Sequence, residues 1–411
     1  MALTGPANSA RLMDFSLTDD QRLLKDTIRQ FMEAELRPHL REYEKQEHFP
    51  AEEIRRLGEL GCCGMTVPEE WGGAGSDTLT YVLMLEEVAR VCASTAVTLS
   101  VTNSVVAAPI ARHGSGQQKQ SMLTKLARGE WLGAFCLTEP QAGSDSAAIA
   151  TRAERTAAGY RLTGTKSWVT NGGVASVYLV FAKTDPAAGA RGTTAFLVTP
   201  DLRGFRVARF EDKMGLKMSK TAEMRLDECQ VPAANRLGEP GQGLKIALEA
   251  LDGGRVGIAA QALGIAQGAL EASVRYAKER RAFGKKLGEF QAIQWMLADM
   301  QTEIEAARML TYHAACVQDE ARSRGLSPLE GHVGPHASRA KLYASEMVNR
   351  VAYKAVQVHG SMGYSREMDV ERAYRDARVV TIYEGTSEIQ RTVIARELLG
   401  AGVRETAEVK A

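Results

Sequence analysis

The sequence lacks the common signatures of nucleotide-binding and hydrolytic enzymes. Its 411 residues contain no GxGxxG at a strand-to-helix turn, no GxxxxGKS/T, no GxSxG and no HExxH. These absences argue against nicotinamide binding on a doubly wound sheet and against P-loop phosphoryl transfer. The chemistry of the chain must therefore lie in less general motifs.

Cysteine pairs that hold zinc or form disulfide frameworks are also absent. The six cysteines contain no CxxC pair, which is typical of a reducing compartment and predicts that all six are buried free thiols. His332 and His336 are four residues apart, but Gly334 and Pro335 lie between them. We therefore predict no metal site.

No charge of one sign dominates, and no long hydrophobic run occurs. The chain has 51 basic and 50 acidic residues, so it offers no electrostatic field that would hold nucleic acid. No run approaches about 18 uninterrupted apolar residues, and residues 1–13 lack the apolar core of a signal peptide. We predict no membrane insertion, and a location in the bacterial cytoplasm or, in a eukaryote, the mitochondrial matrix.

The composition is that of a globular protein, and its patterns follow the order helix, sheet, helix. Thr18 and Gln21 form a capping-box pattern, and apolar residues then recur at helical spacing up to Leu36, before Pro38. Further helical patterns start near Pro50 and recur at residues 83–90 and 105–113. We predict an all-helical domain over residues 14–130.

The next two parts of the chain differ in periodicity. Short β-type runs separated by Gly, Pro, Asn and Asp predict a β domain over residues 131–242. These runs are residues 134–137, 160–166, 177–183, 194–198 and 205–210. Long helical patterns at residues 246–276, 290–317 and 335–358 then predict a helical domain over residues 243–400.

The segment TIYEGTSEIQR places a glutamate just ahead of the last helical pattern. Ser387 followed by Gln390 is a capping-box pattern, so Glu384 is predicted on the turn before that helix. Tyr383 and Gly385 flank it, and neighbours that exclude water raise the pKa of a carboxyl group. This arrangement is typical of a general base. The alternative is an ordinary acidic residue that the helix dipole favours.

Two polar motifs fall within the predicted β domain. FCLTEPQAGSD carries the hydroxyls of Thr138 and Ser144 around a turn, where they could bind a polar planar ring or an anion. KSWVTNGG places Trp168 and Thr170 on one face of a strand, since alternate residues point the same way. A hydrogen-bonded turn and a half-buried tryptophan are the alternatives.

A basic motif, ERRAFGKKLGEFQ, lies in a break between two predicted helices. Arg280 and Arg281 precede Phe283 and Gly284 there, an arrangement that could bind a diphosphate beside a stacking ring. A solvated basic turn is the alternative.

Together these motifs resemble those of one family, the acyl-CoA dehydrogenases, and most closely its short-chain (butyryl-CoA) type. The resemblance covers nearly the whole chain. It rests on the occurrence, in order, of LTEPQAGSD, KSWVTNGG, ALDGGRVGIAAQALGIAQ, ERRAFGK, VHGSMGY, YRDAR and IYEGTSEIQR. It implies an α+β multidomain fold with an N-terminal all-α domain, a middle β-barrel or β-sandwich, and a C-terminal four-helix bundle.

The resemblance also implies roles for particular residues. Glu384 matches the base that removes the α-proton of an acyl-CoA thioester while the β-hydride passes to N5 of FAD. Positions that match FAD contacts are Phe135, Leu137, Thr138, Ser144, Trp168, Thr170, Arg280, Phe283, Gln291, Gln357, Gly360, Thr386 and Glu388. Positions that match acyl-CoA contacts are Ser144, Asp252, Arg255, Tyr383 and Gly385.

Among the FAD positions, some match residues that contact the cofactor of a neighbouring subunit, because the family is usually a homotetramer. These are Arg280, Phe283, Gln291, Gln357 and Gly360. The resemblance further implies that electrons pass to electron-transfer flavoprotein.

Isovaleryl and long-chain members place their base on the helix near Asp252. This chain has Gly254 there, so the resemblance assigns the base to Glu384. Two other functions stay open: an acyl-CoA oxidase-like flavoprotein that uses oxygen, and a catalytically silent helical protein that binds CoA esters.

Overall fold

A computed structural model describes residues 16–400. The segment 1–13, considered above for a signal peptide, lies outside the described residues. So do the first two residues of the predicted N-terminal domain, 14 and 15.

The first part of the described chain is helical. The Thr18 side chain accepts from the backbone N–H of Gln21, and the Gln21 side chain accepts from that of Thr18, which confirms the predicted capping box. Three stretches, Met32–Leu36, Val101–Ala107 and Lys119–Leu123, are π-helical. The α-helices are α1 (Asp19–Phe31), α2 (Leu40–Gln46), α3 (Ala51–Glu59), α4 (Thr78–Val91), α5 (Ala93–Ser100), α6 (Ala108–His113), α7 (Gly116–Gln118) and α8 (Thr124–Ala127).

The helical stretch Ala93–His113 is long and apolar enough to span a membrane, but 94% of its most apolar window is buried inside the protein. Helix α5 and the π-helical stretch that follows are buried on every side, so they show no amphipathic periodicity. This is why the sequence pattern did not identify α5.

The middle part of the chain forms one hydrogen-bonded sheet of eight strands. Their order is β6-β7-β3-β2-β4-β5-β8, and β1 pairs with β4 in parallel. The sequence pattern missed β2 and the long β7. The strands are β1 (Gly133–Cys136), β2 (Arg152–Thr156), β3 (Gly159–Thr170), β4 (Val177–Lys183), β5 (Thr193–Val198), β6 (Phe205–Phe210), β7 (Thr221–Pro232) and β8 (Arg236–Leu237).

Long helices return after the sheet, as predicted, and pack against the N-terminal helices. The contact is close, because a Cβ at Gly264 on the first of them would lie 2.3 Å from the backbone oxygen of Glu86 on α4. The remaining elements are α9 (Gly243–Glu279), β9 (Arg281–Ala282), β10 (Lys285–Lys286), α10 (Gln291–Ser323), α11 (Val333–His359), α12 (Asp369–Val379) and α13 (Ser387–Leu399).

Two sequence-based details need correction. Pro335 does not open α11 but is its third residue, a position where the missing N–H would have had no partner within the helix. Cys316 is exposed, whereas the other five cysteines are buried.

The core is shared between the helical and sheet parts. One large apolar cluster joins the helices to one face of the sheet, and a second cluster covers the other face. The turn between α12 and α13, which carries Glu384, therefore lies against a packed framework rather than on a free loop.

Candidate active site

Glu384 lies where the turn between α12 and α13 meets α9. Its backbone is left-handed, with a φ of 49°, and Gly385 follows with a φ of 90°. Opposite the carboxylate is Gly254 on α9, where a Cβ atom would lie only 2.0 Å from Oε2 of Glu384. The missing side chain at Gly254 therefore provides the space that the carboxylate occupies.

The Glu384 side chain is half-buried, and its carboxylate is incompletely paired. Its Oε2 atom has no hydrogen-bond partner within residues 16–400. Burial raises the pKa of Glu384 to about 7, although the cations of Lys341 and Arg255 act to lower it. The direction agrees with that expected from its sequence neighbours. Such a carboxyl group exists in both protonation states near neutral pH, which suits a general base.

The predicted capping box at the start of α13 is wrong. The N-cap is Thr386, whose side chain accepts from the backbone N–H of Ile389, and Ser387 is the first helical residue. The Gln390 amide instead donates to the backbone oxygen of Gly385 at 2.9 Å. The left-handed turn offers Gln390 a backbone acceptor that needs a partner in this packed environment.

Asp252 and Arg255, predicted to contact the acyl-CoA, flank Gly254 on α9. Nη1 of Arg255 donates to Oδ1 of Asp252 at 2.5 Å, and both residues are buried. Burial raises the pKa of Asp252 to about 6 although Arg255 opposes this change. Nε of Arg255 is buried without a hydrogen-bond partner in the described chain. A cation with an unused donor thus lies within one turn of Gly254.

Tyr383 contacts α9 at Gln261, seven residues beyond Gly254. Its hydroxyl donates to Oε1 of Gln261, and the Gln261 amide donates to the backbone oxygen of Ala93 at 2.9 Å. Gln261 itself is fully buried. These bonds tie α9 to the turn that carries Glu384 and to the start of α5.

Trp168 and Thr170 share the outer face of β3. Trp168 is 60% exposed and Thr170 is half-buried, whereas Ser167 and Val169 are buried. The backbone at Trp168 is left-handed, with a φ of 57°, and the pairing of β3 with β7 is irregular at this point. The irregular backbone directs the indole ring away from the sheet.

A buried ion pair connects β3 to the LTEP motif. Nζ of Lys166 donates to Oε1 of Glu139 at 2.7 Å and to the backbone oxygen of Leu137 at 3.2 Å. The backbone N–H of Ser167 donates to the backbone oxygen of Thr138 at 2.9 Å. The structure therefore brings Thr138 beside the strand that carries Trp168 and Thr170.

The other two residues of the predicted FAD set in this region differ in burial. Phe135 packs against Phe181 with a centroid separation of 5.0 Å. Ser144 is exposed on the loop after the LTEP motif.

The residues matched to a neighbouring subunit's cofactor form a separate, exposed group. Phe283 is 95% exposed at the tip of the β9–β10 hairpin. The ring of Tyr276 stacks on that of His359 at 4.4 Å, which joins the ends of α9 and α11. The members of this group, all exposed, are Arg280, Phe283, Gln291, Gln357 and Gly360.

Sequence reasoning missed several residues that build the site. Lys341, fully buried on α11, donates to the backbone oxygen of Gly385 at 2.7 Å. Gln390 and Gln261 were likewise not assigned to the site. A lysine within an apolar helical stripe was the available signal, since residues 337, 340 and 344 on the same face are alanines.

Three family models match nearly the whole described chain. They are the acyl-CoA dehydrogenase N-terminal domain over residues 18–130, middle domain over residues 134–229 and C-terminal domain over residues 241–399. The chain is 45% identical to the mitochondrial short-chain specific acyl-CoA dehydrogenase of Rattus norvegicus, over 93% of this chain and 91% of that one.

Solved structures give the same result. Butyryl-CoA dehydrogenase from Megasphaera elsdenii is 44% identical with a TM-score of 0.90, over 94% of this chain and 100% of the other. A chain from a structural study of the electron transferring flavoprotein of Acidaminococcus fermentans is 45% identical with a TM-score of 0.91, at the same coverage.

Proposed function

Since the chain belongs to the acyl-CoA dehydrogenase family, whose members are FAD-dependent oxidoreductases, we propose that it converts a short-chain acyl-CoA to the trans-2-enoyl-CoA with Glu384 as base. The observation that carries this proposal is the unpartnered Oε2 of Glu384 in the space left by Gly254. A general base that works near neutral pH needs a pKa of about 7, and its oxygen must be free to approach a C–H bond.

Glu384 takes the α-proton of the thioester in this proposal. Its Oε2 has no hydrogen bond to give up among the described residues, so it is free to accept. The neutral carboxyl group formed by the transfer is the form that burial favours. Lys341 and Arg255 oppose that effect, and so they keep a usable fraction of the carboxylate ionised near neutral pH.

The residues that would hold FAD come from both the sheet and the helical parts. FAD, when bound, supplies the acceptor for the β-hydride. The exposed indole of Trp168 and the half-buried Thr138 and Thr170 suit contact with a planar polar ring. Thr386 caps α13 and Glu388 lies in its first turn, so both would help to hold FAD at the end of the site that carries Glu384.

A second copy of the chain completes the cofactor site in this proposal, and the homotetramer common in the family is the assembly we expect. The support is the exposed group around Phe283, whose ring is 95% exposed at the tip of its hairpin. Other large rings on α10, α11 and the turn after α11 are also exposed: Trp295 by 62%, Tyr353 by 61% and Tyr364 by 89%. Exposed aromatic surface of this extent is typical of protein interfaces.

Electron-transfer flavoprotein is the acceptor we propose. The support is the similarity to a chain from the Acidaminococcus fermentans electron transferring flavoprotein study. The location of this chain stays a prediction, while its rat relative is named as mitochondrial.

A short acyl chain is the substrate that the packing along α9 favours. Gly254 and Gly257 on this helix face close neighbours, the first Glu384 and the second Ser100 and Tyr81. Gln261 lies two turns, or about 10 Å, beyond Gly254. Its bonds to Tyr383 and Ala93 leave little freedom to move aside. A butyryl group would fit before this barrier, whereas an octanoyl group would meet it.

Anaerobic reduction of the bound flavin tests the proposal. Purified flavoprotein is titrated with butyryl-, isobutyryl-, 2-methylbutyryl-, isovaleryl-, octanoyl- and palmitoyl-CoA, and the visible flavin band is followed. We expect bleaching by a short ester. We expect Glu384→Gln to lower the rate by a factor on the order of 10² to 10⁴ while FAD stays bound.

Each other outcome identifies a specific failure. A near-normal rate in Glu384→Gln contradicts the base assignment, and faster bleaching by palmitoyl-CoA contradicts the chain-length proposal. Turnover that consumes oxygen without any flavoprotein acceptor indicates an oxidase. A protein that cannot bind FAD indicates the silent CoA-ester binder.

A further inference from the structure

Lys341 is a buried cation with a specific target. It lies on α11 with none of its surface exposed, and its Nζ donates to the backbone oxygen of Gly385 at 2.7 Å. Helix neighbours on the same face are small, including Ala337 and Ala344. Burial of an amine among such residues is unfavourable unless the amine is paired. This lysine is therefore better explained by its contact with the Glu384 turn than by packing.

The backbone that Lys341 holds is strained. Glu384 and Gly385 are both left-handed, and a residue with a Cβ atom rarely adopts this conformation without outside support. The Gly385 oxygen accepts from Lys341 and, at 2.9 Å, from the fully buried Gln390. Two side chains from two different helices thus fix the Gly385–Thr386 peptide, the second peptide after Glu384.

Lys341 also acts on the carboxylate through its charge. Charged groups face Glu384 from two helices, Lys341 on α11 and Arg255 on α9, and both lower its pKa against the effect of burial. The buried phenol of Tyr81 on α4 and that of Tyr383 face it as well.

Burial and several charged groups affect the protonation of Lys341 itself. Burial lowers the pKa of Lys341 to about 8, while Glu384, Glu346 and Glu388 favour its charged form and Arg255 opposes it. The lysine is therefore mostly cationic at neutral pH. Its charge is present over the same pH range in which Glu384 changes protonation state.

We propose that Lys341 is a positioning residue for the proton transfer: it holds the left-handed Glu384–Gly385 turn through the Gly385 oxygen and places a positive charge beside that turn. This inference rests on the proposed role of Glu384 as base. It adds a residue that no sequence motif above contains.

The test is the pH dependence of anaerobic flavin reduction by butyryl-CoA in the FAD-loaded protein, from about pH 5.5 to about pH 9. Lys341→Met removes both the donor and the charge. We expect its rate at neutral pH to fall by about 10- to 100-fold, and the acid limb to move up by about one pH unit, because loss of a nearby cation raises a carboxyl pKa.

Gln390→Met is the matched variant, because it removes the other donor to the same oxygen without changing charge. We expect a lower rate with the acid limb unmoved. Lys354→Met, which removes a lysine from the outer end of α11, should change neither. If Lys341→Met does not retain FAD, Lys341→Gln serves instead: it also lacks the charge, and the same upward movement of the limb is expected.

The result that overturns the inference is an acid limb and rate in the Lys341 variants equal to those of the wild type. Failure of the proposed function is distinguishable, since it requires that Glu384→Gln keep its activity. Loss of activity in Glu384→Gln together with an unmoved limb and an unchanged rate in Lys341→Met and Lys341→Gln would reject the positioning role alone.

Discussion

Two turns in this chain share one backbone conformation but have opposite surroundings. Glu384 and Gly385 have φ values of 49° and 90°, and Phe283 and Gly284 have φ values of 49° and 80°. In both turns a residue with a bulky side chain occupies a left-handed position where Asn, Asp or Gly is usual. The first turn is enclosed by α9, α11 and α13, whereas the second is a hairpin tip with Phe283 95% exposed.

The difference shows how much of each site the chain supplies by itself. Around Glu384, side chains of this chain hold the backbone and modify the pKa of the carboxyl group. Around Phe283, the contact within the hairpin is Nη2 of Arg281 donating to the Gly284 oxygen at 3.3 Å, and the ring packs edge-on to Phe290 at 6.2 Å. An unfavourable backbone conformation that supports an exposed ring makes sense when the ring contacts something outside its own chain.

The largest effect is expected where the enclosed turn has no spare room. Gly254→Ala places a Cβ at a point 2.0 Å from Oε2 of Glu384, so the carboxylate must move by an ångström or more. Such a displacement lowers the rate of flavin reduction by about 10²-fold. Stopped-flow reduction by butyryl-CoA measures it.

The neighbouring glycine is the control for this substitution. A Cβ at Gly253 would meet nothing closer than the Gln318 amide at 3.6 Å, so Gly253→Ala makes the same chemical change to α9 without the collision. Equal rates in the two variants would show that Gly254 does not hold space for the base.

A smaller effect is expected on stability, with a defined pH dependence. The folded pKa of Glu384 is about 7, raised from an ordinary value of 4.5. Below about pH 4 both states are protonated, and the group contributes no difference. As the pH rises from about 4.5 to about 7, the unfolded chain releases this proton first, so the wild type loses stability relative to Glu384→Gln.

The expected difference above pH 7 is on the order of 3 kcal/mol in favour of Glu384→Gln. Urea unfolding of both proteins at several pH values measures it. A difference that stays constant across this range would mean that burial does not raise the pKa of Glu384. Similar unfolding slopes in the two proteins are required for the comparison.

The sequence predicted the helix, sheet and helix order and the position of Glu384, because both depend on local patterns. It missed β7, although Ala222, Met224 and Leu226 alternate with charged residues there. It also missed Lys341 and Gln261. Their roles depend on contacts with residues 44 and 122 positions further along the chain, and nothing local in a helical pattern identifies such partners.

The wrongly predicted capping box at Ser387 also shows that local patterns do not identify tertiary contacts. The residue types were those of the motif, but the Gln390 amide instead donates to the Gly385 oxygen of the left-handed turn, which also accepts from Lys341. Thr386 then caps the helix one residue earlier. Local signals predicted that a helix starts here, and the tertiary contact decided which residue performs the capping.

The smallest effect is expected at the exposed turn. One substitution there separates a contact with a second copy's cofactor from a role in the hairpin alone. Phe283→Asn removes the ring but introduces a residue that prefers the left-handed position, so the hairpin should be at least as well formed. If the ring contacts cofactor bound by a second copy, FAD retention on dilution should weaken by up to about tenfold. Leu23→Asn, which removes another exposed apolar side chain, on α1 (67% exposed), should leave FAD retention unchanged. Analytical ultracentrifugation and flavin release measure both variants.

Unchanged FAD retention in Phe283→Asn would mean that the exposed ring serves the hairpin alone. The two turns would then share a conformation without sharing a role in the active site.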